Sequence, residues 1–155
     1  MGIVVMAALV LFPGASHSAP PVISCSISSA TLSFGALDPS AAVTIAAIPA
    51  TIQIVCTRSV GAGQINFTIT ETRSPSYNVA PVGYKLQHLG APSTEYVPYA
   101  LTFLAGGSPI VFPYSDRASN GVPYVIDVNG SVQGLDYIDA YWGNYADAIT
   151  LTIAP

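Results

Sequence analysis

The sequence contains very few charged side chains. Of its 155 residues, 8% are charged, with 4 Lys and Arg against 8 Asp and Glu and a net charge of -4. Proteins that bind phosphate backbones need clustered cations, so nucleic acid is excluded as a partner. The chain is nevertheless not of a disordered type, because 51% of its residues are hydrophobic and can bury a core. Its length fits one domain.

Histidine and cysteine are also scarce. The histidines are His17 and His88, and the cysteines are Cys25 and Cys56. A metal centre needs more ligands at suitable spacing, so we predict neither a metal nor a cofactor. A Ser-His-Asp triad would depend on His88, and no Gly-x-Ser-x-Gly elbow exists, so we do not expect an enzyme. A pair of catalytic carboxylates, as in a glycosidase, is an alternative, but nothing in the sequence singles out particular acidic residues for it.

The N-terminus lacks Lys and Arg but otherwise reads as a secretion signal. Ile3 to Phe12 is an apolar run too short to span a bilayer as a helix, and small residues follow it. We predict a signal peptide at 1–18, cleaved after Ser18, and one domain at 19–155. A start codon placed too late would explain the missing basic residues, and an uncleaved membrane anchor is the alternative. We therefore expect an exported protein.

Cys25 and Cys56 remain after cleavage. An even number of cysteines in an exported chain predicts a disulfide between them. Closing this loop should stabilise the fold by roughly 3–4 kcal/mol in the chain-entropy model.

Alternating hydrophobic residues predict strands along most of the chain. The last segment, Tyr145 to Ile153, places Ile149, Leu151 and Ile153 on one side. The clearest strand is Gln64 to Thr72. Further strands are predicted at Cys25–Phe34, Ala41–Ala47, Ala50–Thr57, Tyr84–His88, Val97–Leu104 and Pro109–Phe112. No segment outside the signal has convincing helical periodicity, so the pattern predicts an antiparallel β-sandwich.

Three loops are predicted between these strands. Asn129-Gly130 is a strong hairpin signal, and it predicts a turn between strands at Val122–Val128 and Ser131–Leu135. Asp116 to Gly121 is predicted as a polar loop, and Asp136 to Asn144 as an aromatic loop.

Several landmarks follow one another in a recognisable order. They are Cys25, Phe34-Gly35, Cys56-Thr57, the Tyr-x-Leu-x-Phe strand Tyr99–Phe103, the Gly-containing segment Asn129–Gly134 and the closing segment Gly143–Ile153. Together they resemble the spore coat protein U domain family, which includes pilins of archaic chaperone–usher pili. The likeness covers roughly residues 25 to 153.

The resemblance implies an incomplete immunoglobulin-like sandwich that lacks its last strand. A periplasmic chaperone would lend that strand, and other pilus subunits would replace it after delivery to an outer-membrane usher. This is donor-strand complementation. On this sequence, the strand-acceptor groove would be bordered by the first and last strands and lined by Ile27, Leu32, Phe34, Ile149, Leu151 and Ile153. The resemblance thus implies a structural or adhesive pilus subunit at the cell surface.

The segment available to donate a strand is short. Ala19 to Ser24 precedes the first cysteine, and it contains Pro20-Pro21, which cannot donate ladder hydrogen bonds. We therefore expect a terminal, tip-like subunit, or a family member that no longer polymerises.

The aromatic loop supports a second hypothesis. Tyr137, Tyr141, Trp142 and Tyr145 could form a platform for a glycan or surface ligand, as in a secreted carbohydrate-binding β-sandwich. The alternative is that these rings only cap one end of the sandwich.

Overall fold

The computed structural model describes residues 20–35, 37–90 and 94–155. The predicted signal peptide at 1–18 lies outside the described residues. Apart from strands, the described chain has 3-10 turns at Pro75–Asn78 and Gly134–Asp136. Neither has the length or hydropathy of a membrane-spanning helix.

The largest sheet is antiparallel and has six strands. They are β1 (Ile23–Ile27), β2 (Ile45–Ala46), β3 (Ala50–Arg58), β7 (Ala100–Ala105), β8 (Ser108–Ile110) and β10 (Tyr124–Val132). The order across the sheet is β1-β3-β10-β7-β8, and β2 pairs with β10.

Two smaller antiparallel sheets form the opposite layer. One has the order β12 (Thr150–Ala154), β4 (Gln64–Thr72) and β9 (Tyr114–Ser119). The other has the order β11 (Tyr145–Ala146), β5 (Lys85–His88) and β6 (Tyr96–Pro98). The fold is therefore all-β, as predicted.

The core forms where the alternating faces of the two layers meet. In β4, Ile65, Phe67 and Ile69 are at most 1% exposed, and they pack against Ile54 of β3 and Ile126 of β10. A strand with one face on the core alternates in this way because successive side chains point to opposite sides. The predicted bounds of this strand, Gln64 to Thr72, are confirmed.

The predicted disulfide is also confirmed. Cys25 and Cys56 are directly opposite each other in the β1–β3 ladder, with Cα atoms 4.0 Å apart. The bond fastens the first strand to its neighbour β3, and Cys56 is fully buried.

The predicted hairpin turn at Asn129-Gly130 is wrong, because β10 runs straight through it to Val132. The reason is a long-range contact. A Cβ on Gly130 would lie 2.5 Å from Leu32 Cδ2 and 3.0 Å from Phe34 Cζ. Gly130 is thus a site of close packing within a strand and not a turn residue.

Other predicted elements also change. The predicted last strand, Tyr145 to Ile153, is divided between β11 and β12, which belong to different sheets, and the predicted strand Ala41–Ala47 is reduced to β2. The first strand ends at Ile27, and Ser33 makes only an isolated bridge to Ile48. The predicted strand Val97–Leu104 is divided between β6 and β7, which belong to different sheets. The predicted polar loop beginning at Asp116 is largely strand β9, which pairs with β4.

Candidate functional site

The first and last strands each have one unpaired edge. In the described chain, β1 pairs only with β3, and β12 pairs only with β4. The two strands approach each other across the layers, with Cα atoms within 8 Å. Unpaired N–H and C=O groups along such edges can form a ladder with an additional strand.

A cavity of about 790 Å³ lies beside these two edges. Its walls are residues 27–35, which follow from β1, and residues 143–151, which lead into β12. Ile52, Leu101, Phe103 and Val128 of the large sheet also line it. The site is therefore a groove between the layers that is lined by both apolar and polar side chains and reaches the sandwich core.

The structure brings together most of the residues that were predicted to line the acceptor groove. Five of the six predicted residues line the cavity: Ile27, Leu32, Phe34, Ile149 and Leu151. Ile153 lies beyond the cavity and packs against the main core. Leu32 and Phe34 reach the groove from the segment after β1 and not from a strand.

Asp147 adds a polar feature that was not predicted for the groove. Burial alternates strictly from Tyr145 to Ala154, so Asp147 lies on the same inward face as Ile149 and Leu151. The same period of two, extended backwards from Ile149 in the sequence, could have placed it there.

The Asp147 carboxylate is held by three neutral donors. The Tyr99 hydroxyl donates to Oδ2 at 2.8 Å, and the Ala148 N–H donates to Oδ1 at 2.9 Å. The Ser76 hydroxyl lies 3.4 Å from Oδ1 and shares its proton with the Lys85 carbonyl, which is 3.1 Å away. Burial and the bond to this carboxylate raise the pKa of Tyr99 above its ordinary value. Tyr99 therefore stays a neutral hydrogen-bond donor.

A second polar cluster lies away from the groove. The hydroxyls of Tyr114 and Tyr124 both lie within hydrogen-bond distance of the Asp116 carboxylate, which accepts from them, and their oxygen atoms are 2.6 Å apart. These hydroxyls, that of Tyr124 most, hold the pKa of Asp116 below its ordinary value. The arrangement explains how an acidic residue can occupy an inward position of β9.

The four aromatic residues of the predicted ligand loop do not share one surface. Tyr137 is 0% exposed, and its hydroxyl donates to the Val43 carbonyl at 2.6 Å, so its ring is not available to a ligand. Tyr145 is half-buried, and its hydroxyl donates to the Tyr141 carbonyl. Trp142 is 86% exposed and Tyr141 58% exposed. The accessible part of the loop is thus Tyr141 and Trp142.

His88 is the last residue of β5 and lies beneath this loop. It is 8% exposed, its ring meets that of Tyr145 edge to face, and its Nδ1 accepts from the Gly90 N–H. Its Nε2 has no hydrogen-bond partner among the described residues. In the same part of the chain, no three His, Cys, Asp or Glu side chains are grouped to hold a metal.

The described chain is thus a disulfide-linked antiparallel sandwich with a groove along two open strand edges. The Spore Coat Protein U domain family matches residues 16–152. The chain belongs to this family.

A solved structure shares the fold. It is a chain from a structure described as a chaperone–tip adhesin complex in CFA/I fimbriae biogenesis, with a TM-score of 0.51 and 14% sequence identity. The match covers 84% of this chain and 42% of that one, so this chain spans less than half of its neighbour. No curated protein sequence matches the chain.

Proposed function

We propose that this chain is a structural or adhesive subunit of a chaperone–usher surface pilus. Its groove accepts a β-strand from another chain, which completes the sandwich by donor-strand complementation. The observation that carries the proposal is a cavity of about 790 Å³ beside two unpaired strand edges, with apolar side chains of the core in its wall. Main-chain hydrogen bonds to an edge give such a strand its affinity, and alternate side chains in the cavity give it specificity.

The partners follow from the same proposal. A periplasmic chaperone fills the groove first, an outer-membrane usher receives the complex, and another pilus subunit then takes the chaperone's place. Membership of the Spore Coat Protein U domain family supports this, as does a fold shared with a chain from a chaperone–tip adhesin complex. The subunit is exported through the periplasm to the cell surface. It needs no catalytic residues, because strand exchange breaks no covalent bond.

We place the subunit as an acceptor at a terminal position of the fibre. Its own first strand is already committed to the large sheet. Val22 extends the β1 pairing, since its carbonyl accepts from the Ser59 N–H at 3.0 Å and its N–H donates to the Ser59 hydroxyl at 2.9 Å. Cys25 is bonded to Cys56 in the same ladder. A segment held in this way is poorly placed to leave and enter a neighbour's groove.

A strand-addition experiment tests the proposal. The mature chain is refolded with a peptide of alternating apolar residues or with the same peptide carrying central prolines. We expect the first peptide to raise the Tm and the second to have no effect, because proline removes ladder donors. Hydrogen exchange should show new protection at residues 147–151. A chain whose edges are already fully protected without peptide would refute the proposal.

Matched variants locate the binding site. Ile149→Ala removes a side chain that lines the groove but is not among the residues that pack into the core. It should weaken peptide binding by about tenfold, since burying such a side chain contributes on the order of 1.5–3 kcal/mol. Thr152→Ala, on the exposed face of β12, serves as the control and should bind like the unaltered chain.

A second candidate function is glycan binding by Tyr141 and Trp142. The observation that favours it is the exposure of both adjacent rings, 58% and 86%, since aromatic faces that reach solvent can stack against a sugar. Trp142→Ala should abolish binding on a glycan array and leave the Tm unchanged. Unaltered glycan binding, or none by the parent chain, would remove this candidate.

A further inference from the structure

The groove carries a single charge. Asp147 is the only charged residue among the described residues that line the cavity. Among the described residues, the salt bridge joins Arg73 to Glu71, and no cation forms an ion pair with Asp147. An open groove leaves this carboxylate accessible to water. A strand that covers the groove removes that water.

Covering an unpaired carboxylate is unfavourable. The three groups that donate to Asp147 are all neutral, so they satisfy oxygen atoms without neutralising the charge. A desolvated charge costs free energy unless an opposite charge compensates it. The occupant of the groove can supply that compensation, because the protein does not.

The position of the compensating group follows from strand geometry. Asp147, Ile149 and Leu151 share the inward face at every second residue. A strand paired with this edge presents its own inward side chains directly opposite, with Cβ atoms about 5 Å apart. Its inward residues therefore meet Leu151 in β12, Ile149 just before it, and Asp147 at the end of the segment that follows β11.

Resting on the strand-accepting function proposed above, we propose that the strand recognised by this groove carries a Lys or Arg beside Asp147. Its other inward residues are apolar. The cation sits at the inward position at one end of the strand. Asp147 thereby selects the partner strand and fixes its register, because a slip by one residue turns the cation to the outward face.

The test combines three peptides with two protein variants. The parent peptide has alternating apolar residues, with norleucine at its first and last inward positions. Each of the two derivatives replaces one of these norleucines by Lys. Binding is measured by fluorescence anisotropy for the unaltered chain, for Asp147→Asn and for the control Asp139→Asn on the exposed loop. Using both Lys positions covers parallel and antiparallel pairing.

We expect one Lys peptide to bind the unaltered chain about threefold to tenfold more tightly than its norleucine counterpart. Asp147→Asn should remove this preference and Asp139→Asn should keep it. Equal binding of Lys and norleucine peptides overturns the inference and leaves the strand-accepting function intact. Failure of every peptide to bind overturns both.

Salt provides an independent readout that needs no variant. The advantage of the Lys peptide should shrink as NaCl is raised, because salt screens a charge pair and not apolar contacts. An advantage that is unchanged by salt overturns the inference even if Asp147→Asn fails to fold.

Discussion

Gly130 lies directly beneath Leu32, so closely that a Cβ on the glycine would be 2.5 Å from Leu32 Cδ2. Leu32 lines the groove, and Gly130 lies in the middle of β10. Because the glycine has no side chain, the segment that carries Leu32 can pack closely against the large sheet. A side chain here would push the wall outwards.

Gly130→Ala should lower the free energy of unfolding by about 1–3 kcal/mol, the usual cost of overpacking. Urea unfolding measures this, and Gly83→Ala is the control, because no atom lies within 4 Å of a Cβ at that position. Adding Leu32→Ala to Gly130→Ala should restore part of the loss. An unchanged stability in Gly130→Ala would contradict the packing described here.

Asp116 predicts a dependence of stability on acid. Hydrogen bonds from Tyr124 and Tyr114 hold its pKa in the folded state below the unfolded value of about 4. A depressed folded pKa contributes stability above the unfolded pKa, and this contribution is lost as pH falls through the folded pKa. Asp116→Asn should therefore lose less stability than the unaltered chain between neutral pH and pH of about 3. Equal acid sensitivity of the two chains in urea unfolding would refute this.

Reduction of the disulfide between Cys25 and Cys56 should lower the free energy of unfolding by a large amount. Their bond closes a loop across 31 positions, and its loss should cost roughly 3–4 kcal/mol in the chain-entropy model. The double variant Cys25→Ala with Cys56→Ala should match the reduced chain in urea unfolding and should not respond to reductant. A loss below about 1 kcal/mol would mean that the reduced chain keeps β1 in place by other contacts.

Local pattern predicted some, but not all, of the strands whose side chains alternate without interruption. Gln64 to Thr72 is one example, and its bounds agree with β4. The turn predicted at Asn129-Gly130 was wrong because the glycine packs closely against Leu32, a residue far away in sequence. The loop predicted to begin at Asp116 was wrong because hydrogen bonds from two tyrosines allow this acidic residue to lie on the inward face of a strand. Such contacts exist only after folding, so one segment alone does not reveal them.

The site shows the same division. Alternation identified Ile149 and Leu151 as inward residues, and both line the cavity. It did not identify Asp147, because an acidic residue does not belong to a run of alternating hydrophobic residues, even where it occupies an inward position of the strand. Nor did it separate buried Tyr137 from exposed Trp142, since aromatic residues of one loop look alike until the chain is packed.

Gly143 and His88 are in close contact beneath the exposed aromatic loop. A Cβ on Gly143 would lie 2.1 Å from His88 Nε2 and 2.9 Å from His88 Cδ2. The imidazole is buried and braced by the Tyr145 ring, with centroids 4.9 Å apart, so it has little room to move. Gly143→Ala should thus displace the loop that carries Trp142.

We expect Gly143→Ala to cost about 1–3 kcal/mol in urea unfolding, as overpacking does. It should also shift the fluorescence of Trp142, the only tryptophan in the chain. His88→Ala removes the ring that a new Cβ would strike, so the double variant should regain the parent emission spectrum. Gly83→Ala should leave both signals unchanged. If Gly143→Ala changes neither stability nor emission, His88 does not support the loop, and the exposed position of Trp142 must be set by Tyr145 and its bond to the Tyr141 carbonyl.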